Sequence, residues 1–162
     1  MTDHVFALAD AAATERLGAA LAARCRAGDV LAVWGDLGAG KTVLARAFVR
    51  ARTGDPEEEV PSPTFTLVQS YDGADGVPVF HYDLYRLECS DDVWELDLED
   101  ALADGVTVIE WPERLGALLP EDRLDVRLEH ASPGEDADGR RAIVTPHGAW
   151  GTRQGKSACH VA

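Results

Sequence analysis

The chain has 162 residues, enough for one domain with a hydrophobic core and too few for two well-packed domains. Its hydrophobic fraction is 46% and its charged fraction 27%, typical of globular proteins, and no stretch approaches the run of about 18 apolar residues that a membrane span needs. The net charge of −14 disfavours unassisted binding of tRNA or DNA, so a protein is the expected macromolecular partner; solubility is the other interpretation of the charge.

The N-terminus and the cysteines favour a cytoplasmic protein. Residues 1–4 lack the basic start and apolar core of a signal peptide. The three cysteines, Cys25, Cys89 and Cys159, are odd in number and have no metal-like spacing, which is typical of a reducing compartment. Cys25 falls within an apolar helical pattern, and we expect it in the core.

Three elements are predicted up to the first motif. Residues 5–8 indicate a short strand, and residues 10–26 a helix, because apolar side chains recur at helical spacing before Gly28. The apolar run 30–34 then predicts a buried strand of the kind found in parallel sheets.

A complete phosphate-binding loop follows this strand. Residues 35–42 read GDLGAGKT, which matches G-x-x-x-x-G-K-[ST]. The glycines let backbone N–H groups point at phosphate oxygens, Lys41 can reach the β- and γ-phosphates, and the Thr42 hydroxyl is placed to ligate Mg²⁺. Apolar residues at helical spacing continue to Gly54, so the loop opens a helix whose N-terminus faces the phosphates. An accidental match has a chance of roughly 1 in 100 at ordinary composition, which makes nucleotide binding the firmest prediction.

The next segment contains prolines and cannot be regular structure. Residues 55–59 form an acidic loop, and residues 60–64 carry two prolines. The segment 61–66 lies between the phosphate helix and the next strand, where a sensor of the γ-phosphate is expected. A proline-stiffened connector is the alternative, and the motif alone does not separate the two.

The rest of the chain alternates strands with one helix. The predicted elements are strands over 65–71 and 77–82 joined by a turn, a helix over 91–103, a strand over 106–109, and strands over 124–128 and 141–144. The last two are expected to pair antiparallel across a polar loop over 132–139. From about residue 146 the chain is poor in apolar residues, which predicts disorder.

Two acids stand where apolar strands end. Asp83 follows residues 79–82, and Glu110 follows residues 106–109, positions at which open α/β sheets bind ligands. Phosphoryl transfer needs such a carboxylate to hold Mg²⁺, directly or through water, while a solvated acid at a strand end is the plainer interpretation. Trp111, next to Glu110, either packs as core or faces a partner.

Four motifs occur together and in a characteristic order. They are GDLGAGKT at 35–42, SPTFTLV at 62–68, HYDLYRL at 81–87 and EWPER at 110–114. The set resembles the TsaE family (formerly YjeE), the bacterial ATPase of tRNA threonylcarbamoyladenosine synthesis, over about residues 5–145. The resemblance implies an α/β P-loop fold. Together with the predicted elements, this gives a single domain over 1–146, with a mixed, mostly parallel sheet flanked by helices, antiparallel strands at its C-terminal end, and a tail over 147–162.

The resemblance also implies the site. Thr42 and Glu110 are expected to bind Mg²⁺, together with Asp83, which is needed for hydrolysis and contacts the metal directly or through water. Lys41, Asp83 and Glu110 are the expected catalytic residues. The expected nucleotide-binding residues are Thr14, Asp36, Leu37, Gly38, Ala39, Gly40, Lys41, Thr42, Thr64, Trp111 and Arg140. ATP rather than GTP is expected on the resemblance alone, because no Asn-Lys-x-Asp motif is present.

The family role implied is Mg²⁺-dependent hydrolysis of ATP to ADP while bound to the TsaB–TsaD heterodimer. That heterodimer transfers threonylcarbamoyl to adenosine 37 of certain tRNAs, so tRNA is contacted only indirectly. Arg86, Arg114 and Arg140 are candidates for an arginine finger, and with none assigned we expect slow hydrolysis alone and stimulation by the partners.

Two alternatives remain open at this stage. A small phosphotransferase, such as a nucleoside or nucleotide kinase, uses the same loop but needs an arginine-rich lid, which the sequence lacks. A nucleotide-gated binding module, in which ATP reshapes residues 62–66 and hydrolysis is incidental, requires only the loop and that segment.

Overall fold

Seven strands form one sheet in the computed structural model, which describes residues 2–131 and 139–153. The strands follow the apolar and β-branched runs of the sequence, whose side chains suit a pleated, buried surface. They are β1 (His4–Leu8), β2 (Val30–Trp34), β3 (Val68–Asp72), β4 (Pro78–Asp83), β5 (Val106–Glu110), β6 (Arg123–His130) and β7 (Arg140–His147). The helices are α1 (Ala11–Arg24), α2 (Lys41–Thr53), α3 (Leu98–Asp104) and α4 (Ala149–Arg153), with 3₁₀ segments over Ser90–Leu96 and Pro112–Leu118.

The sheet is parallel in its centre and antiparallel at both edges, in the order β1-β7-β6-β2-β5-β4-β3. Strand β2 pairs in parallel with β5 and β6, and β4 pairs in parallel with β5. The pairs β1–β7, β6–β7 and β3–β4 are antiparallel. The predicted α/β class is confirmed, including the hairpin of β3 and β4 and the antiparallel pair near the C-terminus.

Helices cover both faces of the sheet and create two cores. Helices α1 and α2 form the larger core with one face, while α3 and the 3₁₀ segments form a smaller core with the other. Helices α1 and α2 approach closely at Gly18, where a Cβ atom would lie 2.6 Å from the carbonyl oxygen of Leu44. Cys25 packs in the larger core, as predicted, and burial raises the pKa of its thiol to about 12.

Two predicted elements have different bounds in the structure. The strand predicted over 65–71 starts later, because the Leu67 N–H donates to the Pro63 carbonyl at 2.7 Å and Leu67 has a φ of 67°. The helix predicted over 91–103 is broken by Asp97, whose φ of 58° separates the first 3₁₀ segment from α3. Short polar side chains tolerate this left-handed conformation better than bulky ones, so the 3₁₀ segment ends and α3 begins at Asp97.

The C-terminal region is more ordered than the sequence predicts. The predicted domain ends at residue 146, with a disordered tail over 147–162, whereas β7 continues past this boundary and is followed by α4. Trp150 of α4 is only 4% exposed, and Arg153 forms an ion pair with Asp29. The buried indole and the ion pair offset the entropy lost on ordering this short helix, so the ordered domain extends through residue 153.

Two predicted segments lie partly or wholly outside the described residues. They are the end of the tail, 154–162, and residues 132–138 of the predicted loop. Within 2–131 and 139–153, the helices are too short or too polar to traverse a bilayer.

Candidate functional site

The parallel strands bring the predicted loop and acids to one edge of the sheet. The phosphate-binding loop follows β2, and Asp83 and Glu110 are the last residues of β4 and β5. The strand register pairs Asp83 with Glu110, and Glu110 with Val33. The carboxyl ends of the strands therefore place both acids beside the loop, as the sequence predicts for a ligand site.

The loop leads directly into the N-terminus of α2. Gly40 begins the helix with a φ of 102°, a left-handed conformation that strongly favours glycine. No side chain among the described residues caps this helix end. The N–H groups of the first turn therefore present the partial positive charge that binds anions at helix N-termini.

The positively charged Lys41 side chain folds back against the loop. Its Nζ donates hydrogen bonds to the carbonyls of Gly35 at 2.5 Å and Asp36 at 2.7 Å, and lies 4.1 Å from the centroid of the Trp111 ring. Burial lowers the pKa of Lys41, and nearby carboxylates, Glu110 foremost, act in the opposite direction. The ammonium group is thus held at the mouth of the loop by neutral carbonyls and an aromatic face.

The buried carboxylate of Glu110 has partners on both oxygens. The Thr42 hydroxyl donates to Oε1 at 2.8 Å, and His81 Nε2 lies 2.6 Å from Oε2. Glu110 is 1% exposed and His81 is 0% exposed. Thr42 at the start of α2 and Glu110 at the end of β5 are therefore direct neighbours, although they are far apart in sequence.

These oxygens suit a magnesium ion. Mg²⁺ prefers hard oxygen ligands and is usually held by one or two protein groups plus water and phosphate, rather than by a complete protein cage. The Thr42 hydroxyl, the Glu110 carboxylate and the adjacent Asp83 provide such a partial set. Among the described residues there is no cluster of three or more His, Cys, Asp or Glu side chains that could hold a metal by themselves.

Asp83 connects the site to the proline-containing segment 61–66. The Ser62 hydroxyl donates to Asp83 Oδ2 at 3.0 Å, and the Tyr85 N–H donates to Oδ1 at 3.1 Å. The hydroxyl oxygens of Ser62 and Thr64 are 3.1 Å apart. The segment therefore contacts Asp83 directly, through the Ser62 hydroxyl.

A cleft of about 500 Å³ joins these groups. The predicted residues that line it are Leu37, Gly38, Gly40, Lys41, Thr42, Thr64, Asp83, Glu110 and Trp111. A larger groove of about 700 Å³ lies between α1 and α2 and contains none of the predicted site residues. The smaller cleft is therefore the candidate nucleotide site, because the larger groove contains neither the phosphate-binding loop nor the two acids.

Four predicted residues lie around the loop, outside this cleft. Thr14 is 4% exposed on α1, and a Cβ atom at Gly40 would lie 4.0 Å from its methyl group. Ala39 is buried, while Asp36 is exposed and offers its carbonyl to Lys41. Arg140 Nη2 lies 3.5 Å from the Gly38 carbonyl. Thr14 therefore lies near the loop at Gly40, and Arg140 contacts the loop at the Gly38 carbonyl.

Trp111 packs against the smaller core and also lines the cleft. Its backbone is left-handed, with a φ of 59°, and its partly buried ring packs at the edge of the smaller core. The ring also contacts Lys41 and the ring of Tyr85, whose centroid is 4.9 Å away. Trp111 is therefore part of the cleft wall.

Two residues near the cleft, His81 and Tyr85, have no role in the predicted site, whereas Arg86 is one of the arginine-finger candidates. Arg86 lines the cleft, and its guanidinium lies 4.8 Å from the centroid of the exposed Phe65 ring. Arg114, another arginine-finger candidate, lies farther out, 5.8 Å from the Tyr85 ring centroid. A sequence signal exists for His81, since it stands two residues before Asp83 on a strand and so shares its face of the sheet.

Comparison with known proteins gives a consistent result. The family model of TsaE, described as "Threonylcarbamoyl adenosine biosynthesis protein TsaE", matches residues 8–142. A Streptomyces coelicolor protein named tRNA threonylcarbamoyladenosine biosynthesis protein TsaE is 41% identical over 140 residues, covering 84% of this chain and 93% of that protein. A Rickettsia conorii protein of the same name is 38% identical over 116 residues, covering 72% of this chain but only 65% of its own length. The crystal structure of Bacillus subtilis YdiB has a TM-score of 0.72 at 27% identity and covers 93% of this chain and 90% of that one.

Proposed function

The chain belongs to the TsaE family, and from this premise we propose that it is a Mg²⁺-dependent ATPase in the biosynthesis of tRNA threonylcarbamoyladenosine. The relatives' names support the pathway. The observation that carries the ATPase proposal is the hydrogen bond between Thr42 of the loop and Glu110 at the end of β5, with Asp83 alongside. It unites a phosphate-binding loop with the carboxylates that phosphoryl transfer requires.

In this proposal the chain acts by positioning and charge neutralisation. The N–H groups of the loop and of the first turn of α2 bind phosphate oxygens, and Lys41 offsets charge on the β- and γ-phosphates. Thr42 and Glu110 are the residues that would hold Mg²⁺, and the bound ion would supply further charge compensation on those phosphates. Asp83 accepts a hydrogen bond from Ser62 and orients the attacking water.

Lys41 must exchange partners when a nucleotide binds. Its Nζ is bonded to the carbonyls of Gly35 and Asp36, which carry only partial charge. Phosphate oxygens carry full charge and form stronger, charge-assisted hydrogen bonds with an ammonium group. We therefore expect the phosphates to draw Lys41 away from these carbonyls without unfolding the loop.

The TsaB–TsaD heterodimer is the partner we propose. The acidic chain, with its net charge of −14, suits a protein partner better than direct contact with tRNA, which is reached through the complex. Leu37 lines the cleft and Phe65 packs against Arg86, which also lines it. The two residues are 69% and 85% exposed, an apolar surface that a partner can cover. We expect this assembly in the cytoplasm.

The proposal is tested by phosphate release from ATP and from GTP by the purified chain, in Mg²⁺ and in EDTA. We expect slow turnover of ATP that requires Mg²⁺ and is lost in Lys41→Ala. ADP formation that depends on an added nucleoside or nucleotide acceptor would instead indicate a phosphotransferase. Tight nucleotide binding with no turnover, alone or with the partners, would indicate a binding module.

A further inference from the structure

We propose that His81 is a positioning residue that holds the Glu110 carboxylate in the orientation needed to bind Mg²⁺ together with Thr42. The imidazole is fully buried on β4 and contacts Glu110 Oε2 through Nε2 at 2.6 Å. The other carboxylate oxygen, Oε1, faces the Thr42 hydroxyl at 2.8 Å. His81 lies behind Glu110 and itself lines none of the cleft.

The surroundings of His81 are those of a core position. Successive side chains of a strand alternate between faces, so His81 shares its face with Val79, and the register places it opposite Val108 on β5. Both valines are 0% exposed and belong to the larger core with α2. Packing alone therefore favours an apolar side chain at this position.

The second imidazole nitrogen shows that burial of His81 has a cost. Its Nδ1 is buried and has no hydrogen-bond partner among the described residues. Because the Glu110 carboxylate accepts, Nε2 is the donor, and in the neutral ring Nδ1 is an acceptor left without a donor. A buried polar atom without a partner destabilises a fold, which an aliphatic residue here would avoid. What the imidazole provides and an aliphatic side chain does not is the hydrogen bond with Glu110.

The contact with His81 restricts rotation of the Glu110 carboxylate. The terminal torsion of a glutamate is soft, so a carboxylate held on one oxygen alone can rotate. With Oε2 held by His81, Oε1 stays directed at Thr42 of the loop. Hydrogen-bond partners that orient a metal ligand typically change metal affinity or activity by about 10- to 100-fold when they are removed.

The role of His81 rests on the proposed function, so the test must separate the two. His81→Asn shortens the side chain and withdraws the donor from Glu110, whereas His81→Gln keeps an amide nitrogen at about the reach of Nε2. Val79→Ala is the matched control, since it alters the same buried face of β4 at a residue of the larger core that does not line the cleft. Each variant is assayed for ADP binding by calorimetry in EDTA and at graded Mg²⁺, and for the Mg²⁺ dependence of ATP turnover.

We expect His81→Asn to raise the Mg²⁺ concentration needed for half-maximal ADP binding and turnover by about 10- to 100-fold, with ADP affinity in EDTA unchanged. His81→Gln should recover most of this loss, and Val79→Ala should lower the unfolding temperature without shifting the Mg²⁺ dependence. An unchanged Mg²⁺ dependence in His81→Asn, or an equal shift in Val79→Ala, would overturn the positioning role. If His81→Asn does not fold, His81→Phe, which fills the site without a donor, takes its place with the same expected shift. Absence of Mg²⁺-dependent binding and turnover in the unmodified chain would instead overturn the proposed function.

Discussion

Removal of the Arg153 side chain tests whether α4 is an integral part of the domain. The guanidinium donates to both oxygens of the Asp29 carboxylate, to Oδ2 at 2.9 Å and also to Oδ1. The Asp29 side chain is only 6% exposed, whereas that of Arg153 is 25% exposed. In Arg153→Ala the buried carboxylate keeps the hydrogen bond from the Arg26 N–H at 2.7 Å and loses its charged partner.

The magnitude follows from this burial. Removing one partner of a fully buried ion pair costs about 3–5 kcal/mol. Because the Arg153 side chain is 25% exposed, water can replace part of the lost contact, and we expect about 2 kcal/mol. For a chain of this size that lowers the unfolding temperature by about 4–8 °C.

Thermal and urea unfolding, followed by circular dichroism, measure this loss. Thr152→Ala is the matched control on the same helix, since its exposed hydroxyl donates to the nearby Ala149 carbonyl, and we expect a change within about 0.5 kcal/mol. In an Asp29→Asn background, Arg153→Ala should cost clearly less, because the buried charge is absent. A melting temperature in Arg153→Ala equal to that of Thr152→Ala would refute the anchoring of α4 by this pair.

Three further predictions concern the cleft. Lys41→Ala should weaken ATP binding by about 10- to 100-fold in calorimetry, because a charged contact with phosphate is lost; an unchanged affinity would exclude this contact. Asp83→Asn should lower the single-turnover rate by about 100-fold or more while leaving ADP affinity nearly unchanged, as expected of a group that orients water; an equal loss of binding and rate would argue for a different role. Phe65→Ala should leave stability unchanged within about 0.5 kcal/mol, since the side chain is 85% exposed, but should reduce stimulation by TsaB–TsaD; full stimulation would place the partner surface elsewhere.

The parts of the fold that sequence predicts well are those with strong local signals. Strands β2 and β5 are apolar runs buried on both faces, and the loop at 35–42 has a fixed pattern. Asp83 and Glu110 could be placed near the loop because parallel strands share one carboxyl edge. These features depend on local sequence and strand direction, not on side-chain packing.

The parts that sequence does not predict depend on packing between distant elements. The contact of His81 with Glu110 requires the register of β4 on β5, which the sequence does not specify. Helix α4 is ordered because Trp150 packs in the larger core and Arg153 forms an ion pair with Asp29. Composition alone shows neither contact and indicates a disordered tail. Strand β3 starts later than predicted because of the turn before it, which has a backbone hydrogen bond from Leu67 to Pro63 and a positive φ at Leu67.

ATP hydrolysis by the purified chain in Mg²⁺, with and without the TsaB–TsaD heterodimer, tests the central claim most directly. The proposed function predicts slow turnover by the chain alone and a large increase when the heterodimer is added, with both rates abolished in Lys41→Ala. Tight nucleotide binding without Mg²⁺-dependent hydrolysis in either condition would contradict it.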